Sequence, residues 1–429
     1  MNPADHCAIA WGLVSSLRSS KWDRPSIADH QARALVKMMR YAVGHVPYYR
    51  RLGMTPNDFR SVEDLARFPV ITKATIQEFE ADLIADGFDR SMLDSSVTSG
   101  STGEPTKTYF DRASWLYSKY TLKIRRMVEN GVGMFSRVII ASEYAPDALN
   151  AQRIGLLPGD GLFFRQRRVS VHETPAAHID VFNAFKPDAL YAFPSYLSEL
   201  IDFCEDHSIL LPNVRVVFTS SEVLSAPLRK RIEKFFGGRV CDIYGSTELK
   251  EVAWQCEGGR YHLNFESIYV EPTTVDGGEP APLVLSTLRN RAMPLLRYRI
   301  GDFGKLEYGD CSCGRQSPYI ETIAGREVDV LELPSGRRVS PYVLITHGID
   351  RTPEISKYQF AQTDSDQLEI RVTLRSDGRK IEELQPIAKE VAARLNGEVD
   401  VRLVEVDHIP RTKGGKHRIL MRPAMEPMR

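Results

Sequence analysis

The run "VRVVFTSSEVLSAPLRKRIEKFFGGRVCDIYG", Val214 to Gly245, decides the fold class. Val214, Val216, Val217 and Phe218 make a β-branched and aromatic stretch of strand length. Leu228, Ile232, Phe235 and Phe236 then recur at helical spacing on one face. Ser225 stands where a helix N-cap belongs, and Pro227 falls in the first turn, where a missing N–H costs little. Gly237 and Gly238 stop the helix, and "RVCDIYG" supplies the next strand. Strand, helix and strand with short links predict a βαβ unit of a buried parallel sheet.

The same alternation runs from about residue 95 to 325, where "RVIIAS" is a further strand among amphipathic helical stretches. Residues 1 to about 90 read differently, as helices joined by loops. Ala34, Leu35, Met38, Met39 and Ala42 lie at helical spacing until Pro47 interrupts the pattern. Near 325 the pattern shifts again. "GREVDVLELPSGRRVSP" reads as a hairpin, and Ile355 to Val406 as strands flanking a helix at about 381–395. The expectation is an α/β chain with a large domain over 1–325 and a small α/β domain over 326–429.

Composition limits the function classes. Of 429 residues, 56 are Lys or Arg and 56 Asp or Glu, so the formal charge is zero. That balance removes the electrostatic footprint of a general nucleic-acid binder. No apolar run approaches the roughly 20 residues that span a bilayer, so no membrane partner is expected. The early "CAIAWGLV" follows "MNPADH", which has no Lys or Arg, and reads as a helix start rather than a secretion signal. Six cysteines are too sparse for a disulfide framework, so a cytoplasmic protein with reduced thiols is expected. Monomer and homodimer are both open.

Four segments could carry chemistry. "TSGSTGEPTK", Thr98 to Lys107, packs hydroxyls and glycines beside a lysine. Backbone N–H groups of such a turn bind phosphate, and an ordinary polar turn is the alternative. "DIYGSTE", Asp242 to Glu248, offers a stacking ring, donors and a carboxylate; a strand running into a helix capped by Ser246 or Thr247 is the plain reading. In "MPLLRYRIGDFG", Asp302 follows a glycine turn and suits a ribose diol, or simply closes a turn. "IPRTKGGKHRIL" sets Lys413 and Lys416 around two glycines, either as a solvated charge run or as a lysine carried into a site.

Taken in order, these segments resemble the adenylate-forming enzymes, and among them the phenylacetate–coenzyme A ligase branch. "YAFPSYL", "TSSE", "GREVD", "HVPYYR" and "FPVITK" join the match, so the resemblance covers nearly the whole chain. It implies a large N-terminal domain of layered α/β sheets, a small mobile C-terminal domain that carries the catalytic lysine, and an active site between them. It also implies that a carboxylic acid, aromatic or arylacetic, is joined to ATP as an acyl-adenylate and passed to coenzyme A. An amine or a carrier-protein thiol is the alternative acceptor, and an inactive ATP-binding or scaffold protein the alternative of another class.

The resemblance also implies residue roles. Ser99, Gly100, Ser101, Thr102, Gly103 and Lys107 hold the β- and γ-phosphates. Tyr244 stacks on adenine, Asp302 and Arg326 hold the ribose, and Thr247 meets the α-phosphate region. Asp242, Gly245, Ser246, Ser221 and Glu222 complete the nucleotide surroundings. Glu248 binds Mg2+, and Lys416 stabilises the pentavalent phosphorus. The chain departs from the family where Glu327 and Asp329 flank Val328 at the hinge. It also has "TSSE" for a glycine-containing form, which narrows the pocket, and Phe193 for a smaller residue, which suits core packing.

Cys256 and His262, in "CEGGRYH", and Cys311 and Cys313, in "CSCG", supply three thiols and an imidazole. That is a full tetrahedral donor set for structural Zn2+; isolated small side chains and a surface histidine are the alternative. Cys7, Cys204 and Cys241 are expected to be core or incidental.

Overall fold

The computed structural model describes residues 1–98, 105–143, 165–272, 280–326, 330–339, 341–345, 349, 352, 354–375, 380–412 and 415–422. It divides into two compact units. One comprises Met1–Gly131 and Cys241–Ile323, the other Val132–Val240 and Ala324–Arg429.

The first unit opens with helices Pro3–Ser19 and Arg24–His45. Asn2 and Asp23 cap them, each side chain accepting a backbone N–H three residues on. Pro47 ends the second helix and begins a short turn of helix, Pro47–Arg50, as a residue without an N–H should. The buried stripe Leu35, Met38, Met39 and Ala42 lies on the core that also holds Leu283, Leu285 and Tyr298 of the sheet. Leu35 is wholly covered, and truncating such a side chain to alanine costs about 2–5 kcal/mol.

In this unit the sheet runs in the order Ile268–Val270, Ala281–Thr287, Tyr298–Glu307, Tyr319–Arg326, Tyr261–Leu263, Lys250–Gln255, Arg239–Ser246. A separate two-stranded ribbon pairs Asp94–Val97 antiparallel with Lys107–Phe110. Helix Arg112–Leu116 follows the ribbon and passes through a π turn, Tyr117–Thr121, into helix Leu122–Glu129.

The second unit holds four parallel strands, in the order Val216–Ser220, Ala189–Ala192, Arg137–Ser142, Arg165–Ser170. Helices Ile179–Phe185, Pro194–Asp206 and Ala226–Phe236 accompany them. The capping read from the sequence is present. Ser225 accepts the Leu228 N–H at 3.3 Å, and Gly237, at φ +68°, closes the helix by donating its N–H to the Glu233 carbonyl. Phe193 is buried in this core.

The C-terminal part of the unit is a four-stranded mixed sheet, in the order Asp400–Glu405, Gln367–Leu374, Ile355–Asp364, Leu420–Met421. Its core joins Phe360, Leu368, Ile370 and Val372 to Leu384, Ile387 and Val391. The single helix expected near 381–395 is two pieces, Ile381–Leu384 and Pro386–Arg394, because Pro386 has no N–H to continue the first. The expected hairpin is present, with Leu331 opposite Val339. No helix of the described residues is long and apolar enough to cross a membrane.

Candidate nucleotide and metal sites

In the first unit, strand Arg239–Ser246 turns back after Glu248 into the antiparallel strand Lys250–Gln255. The turn is therefore not the start of a capped helix: Ser246 Oγ instead accepts the Leu249 N–H at 3.1 Å inside a hairpin. The register slips between Tyr244 and Gly245, and a Cβ on Gly245 would lie 2.3 Å from the Lys250 carbonyl oxygen. Only glycine fits that approach.

The slip accompanies a row of buried carboxylates, each accepting a hydrogen bond from a tyrosine. Tyr244 donates its hydroxyl to Asp302 Oδ2 at 2.7 Å, Tyr298 donates to Glu248 Oε1 at 3.1 Å, and Tyr261 donates to Asp242 Oδ2 at 2.6 Å. Asp302, Glu248 and Asp242 are all buried, a setting where loss of a hydrogen-bond donor is costly. Thr247 is half-buried on the same turn. Asp302, on strand Tyr298–Glu307, is 58 residues from Tyr244 in the chain, and the hydrogen bond joins them. Among the described residues Tyr298 is the only hydrogen-bond donor to Glu248, and it takes one of the two carboxylate oxygens. A single protein carboxylate beside phosphate oxygens is how Mg2+ is usually held.

Lys107 lies at the start of the ribbon strand, its Nζ 5.0 Å above the Tyr109 ring. Ser99, Gly100, Ser101, Thr102 and Gly103 lie outside the described residues, as do Lys413, Glu327, Val328 and Asp329. Arg326 ends strand Tyr319–Arg326. Lys250 was not foreseen. Its ammonium donates to Ser96 Oγ, and burial, with Lys119 nearby and against the pull of Glu248, lowers its pKa to about 8. Nothing in "ELKEVAW" distinguishes this lysine from a solvated one.

Also in the first unit, the ligand atoms of Cys256, His262, Cys311 and Cys313 lie within 4.8 Å of one another. Cys256 Sγ is 3.6 Å from Cys311 Sγ, and Cys313 Sγ is 3.3 Å from His262 Nε2. A tetrahedral zinc with sulfur at about 2.3 Å and nitrogen at about 2.0 Å sets its ligands roughly 3.5–3.8 Å apart, so the four atoms fit. His262 Nδ1 lies 3.2 Å from the Ser317 carbonyl and 3.0 Å from its hydroxyl; in the tautomer that donates from Nδ1 to this serine, Nε2 presents its lone pair to the thiols. Burial holds His262 neutral, its pKa lowered to about 4, and pushes the Cys313 thiol up to about 12. Two turns shape the cluster, Gly259 N–H to the Cys256 carbonyl and Gly314 N–H to the Cys311 carbonyl.

In the second unit, the hairpin that bears Lys416 is seated by Glu222. The carboxylate accepts the His417 N–H at 2.6 Å and the N–H and hydroxyl of Ser195 at 2.8 and 2.9 Å. Burial raises the Glu222 pKa. Arg411 pairs with Glu199 at 2.6 Å and donates to the Gly415 carbonyl at 3.1 Å. Lys416 is half-buried, one residue from the Glu222 contact. Ser221 holds φ +73°, a left-handed conformation that glycine adopts without strain and serine does not. Sequence reading missed the partnership of Glu222 with His417, 195 residues away.

The CapK C-terminal domain family matches residues 331–423. Over 410 residues the chain is 26% identical to the phenylacetate-coenzyme A ligase of Thermus thermophilus, covering 90% of this chain and 87% of that one. It is also 26% identical over 428 residues to the enzyme of the same name from Escherichia coli, at 91% and 93% coverage. Along nearly its whole length the chain is thus similar to enzymes named phenylacetate-coenzyme A ligase. A crystal structure of 2-hydroxyisobutyryl-CoA ligase in complex with 2-HIB-AMP has the same fold, with a TM-score of 0.77 at 22% identity over 94% of this chain and 91% of that one. The Tyr244–Asp302 pair lies in the stretches "YGSTE" and "RYRIGD", and the Glu222-seated hairpin lies in "PRTKGGKHR".

Proposed function

We propose that this protein activates a carboxylic acid with ATP and passes the acyl group to coenzyme A. The observation that carries the reading is the buried Tyr244–Asp302 hydrogen bond, with Glu248 on the same turn. Asp302 accepts the ribose hydroxyls, a role the resemblance also gives Arg326, and Tyr244 provides the face for adenine. Thr247 meets the α-phosphate region, and Lys107 with Ser99–Gly103 holds the outer phosphates. Asp242, through Tyr261, and Gly245 fix the turn.

In the first half-reaction a substrate carboxylate oxygen attacks the α-phosphorus, and the bond to the β-phosphate oxygen breaks. Pyrophosphate leaves, and charge builds on the equatorial oxygens. Lys416 donates to those oxygens; Glu248 would hold a Mg2+, which would supply screening of the triphosphate charge. In the second half the coenzyme A thiolate attacks the acyl carbon and AMP departs. The acid is aromatic or arylacetic, a class supported by relatives named phenylacetate-coenzyme A ligase. Residues 326–429 act as a lid that pivots near Arg326. Glu222 seats the Lys416 hairpin and, with Ser221, completes the nucleotide surroundings. Cys256, His262, Cys311 and Cys313 hold a structural Zn2+, which fastens two loops and takes no part in the reaction. The reaction is placed in the cytoplasm, where ATP and coenzyme A are supplied.

Pyrophosphate exchange across aromatic, arylacetic and aliphatic acids, with coenzyme A consumption followed alongside, tests this reading. Exchange with an arylacetic or aromatic acid and stoichiometric thioester are expected. Exchange without thioester would move the acceptor to an amine or a carrier thiol, and absence of exchange across the panel would overturn the enzyme reading.

A further inference from the structure

The hairpin after Tyr244 carries a lysine that the proposed reaction does not use. Lys250 faces Ser246 across the hairpin and holds φ +64°, a conformation that persists for a side-chain-bearing residue only where its surroundings enforce it. Its ammonium lies 5.1 Å above the Phe110 ring and 4.9 Å above the Trp115 ring. The exposed Lys119, from the π turn, lies 4.3 Å from the same indole, so two cations share one ring. Among the described residues Lys250 forms no ion pair. An ammonium has three N–H donors, and Ser96 Oγ takes one. A half-buried cation beside a second cation, with donors to spare, is arranged for an anion.

The position of Ser96 indicates which anion. It lies on strand Asp94–Val97, opposite Thr108, at the root of the serine–glycine segment. Alternation along the ribbon puts Lys107 and Tyr109 on one face, and Ser96, Thr108 and Phe110 on the other, where Lys250 meets them. The Lys250 carbonyl meanwhile backs onto Gly245, and Glu248 is two residues away. Lys250 thus joins the tyrosine turn to the root of the phosphate segment. We infer that Lys250, with Lys119 and Ser96, forms a second cationic contact for the polyphosphate of a nucleoside triphosphate, on the face of the ribbon opposite Lys107. This rests on the reading that the first unit binds the nucleotide.

Calorimetric titration of the full chain with ATP, AMP, inorganic pyrophosphate and a carboxylic acid active in exchange tests it. Lys250→Met keeps the apolar stem and removes the charge; Lys250→Arg keeps the charge. The expected result is ATP and pyrophosphate binding weakened about 10- to 100-fold in Lys250→Met, AMP binding unchanged, and most of the loss restored in Lys250→Arg. Equal weakening of ATP and AMP, or no change in either, overturns the inference. So does weakened binding of the acid alone, which would make the ligand a carboxylate. If Lys250→Met does not fold, as judged by its circular dichroism and melting, Lys119→Gln and Ser96→Ala give the same ATP-against-AMP comparison, with about threefold losses expected for ATP only. A parent chain that binds pyrophosphate through Lys250 but shows no acid-dependent exchange would sink the enzymatic reading and leave this one standing.

Discussion

Replacing Asp302 by asparagine isolates one carboxylate at almost constant shape. In the structure Asp302 is 6% exposed and its Oδ2 accepts the Tyr244 hydroxyl at 2.7 Å. A ribose diol donates two hydrogen bonds, and a carboxylate accepts both; asparagine offers one oxygen and two donors, so one bond is lost. A hydrogen bond to a charged group contributes about 1.5–3 kcal/mol, which corresponds to ATP binding about 10- to 150-fold weaker. The Tyr244 bond also becomes neutral and about half as strong, so the melting temperature should drop by a few degrees without loss of fold. Calorimetry with ATP and 2′-deoxyATP separates the two effects. The parent should prefer ATP by roughly tenfold or more, and Asp302→Asn should reduce that preference to about threefold or less. A variant that keeps the parental preference, however weak its overall binding, would refute the ribose assignment.

Other perturbations have outcomes of their own. Lys416→Ala should slow adenylate formation by about 100-fold or more while thioester formation from a supplied acyl-adenylate changes little; equal loss in both halves would remove Lys416 from the chemistry. Cys313→Ser, measured by metal analysis beside the parent, should lack the one equivalent of zinc the parent carries and should melt lower; equal zinc in both rejects the site. His417 donates Nε2–H to the Tyr358 carbonyl at 2.7 Å, and burial lowers its pKa from 6.5 to about 4. The unfolded chain therefore takes a proton near pH 6.5 that the folded one refuses until about pH 4. From this group alone, stability present above pH 6.5 should fall across that window by roughly 3 kcal/mol, as read from denaturant midpoints. His417→Gln should flatten that slope; an unchanged slope would mean another group dominates it.

What could be read without coordinates was local. Ser225 and Gly237 mark a helix because a cap and a left-handed stop are properties of two or three adjacent residues. Pro386 splits a helix for the same kind of reason, and overlooking its missing N–H produced one helix where there are two. The turn after Tyr244 was harder. "YGSTE" holds cap-forming residues, and only the pairing with Lys250–Gln255, a tertiary fact, makes it a hairpin. Residue types made Tyr244, Asp302 and Glu248 candidates, yet the tyrosine partner of each carboxylate depends on sheet register. Glu222 and Lys250 mark the limit. Their meaning comes from His417 and Ser96, each more than 150 residues away, and no spacing rule reaches that far.

The thiol cluster has a mechanical consequence for the nucleotide residues. Cys256 directly follows strand Lys250–Gln255, the return arm of the Tyr244 hairpin, and Cys311 comes four residues after strand Tyr298–Glu307, which bears Asp302. The cluster is thus a rivet through the far ends of the two levers whose near ends meet at the tyrosine–aspartate contact. Oxidants that join Cys256 to Cys311, or reagents that alkylate them, would act from a distance on the Tyr244–Asp302 contact, without entering the place proposed for ATP.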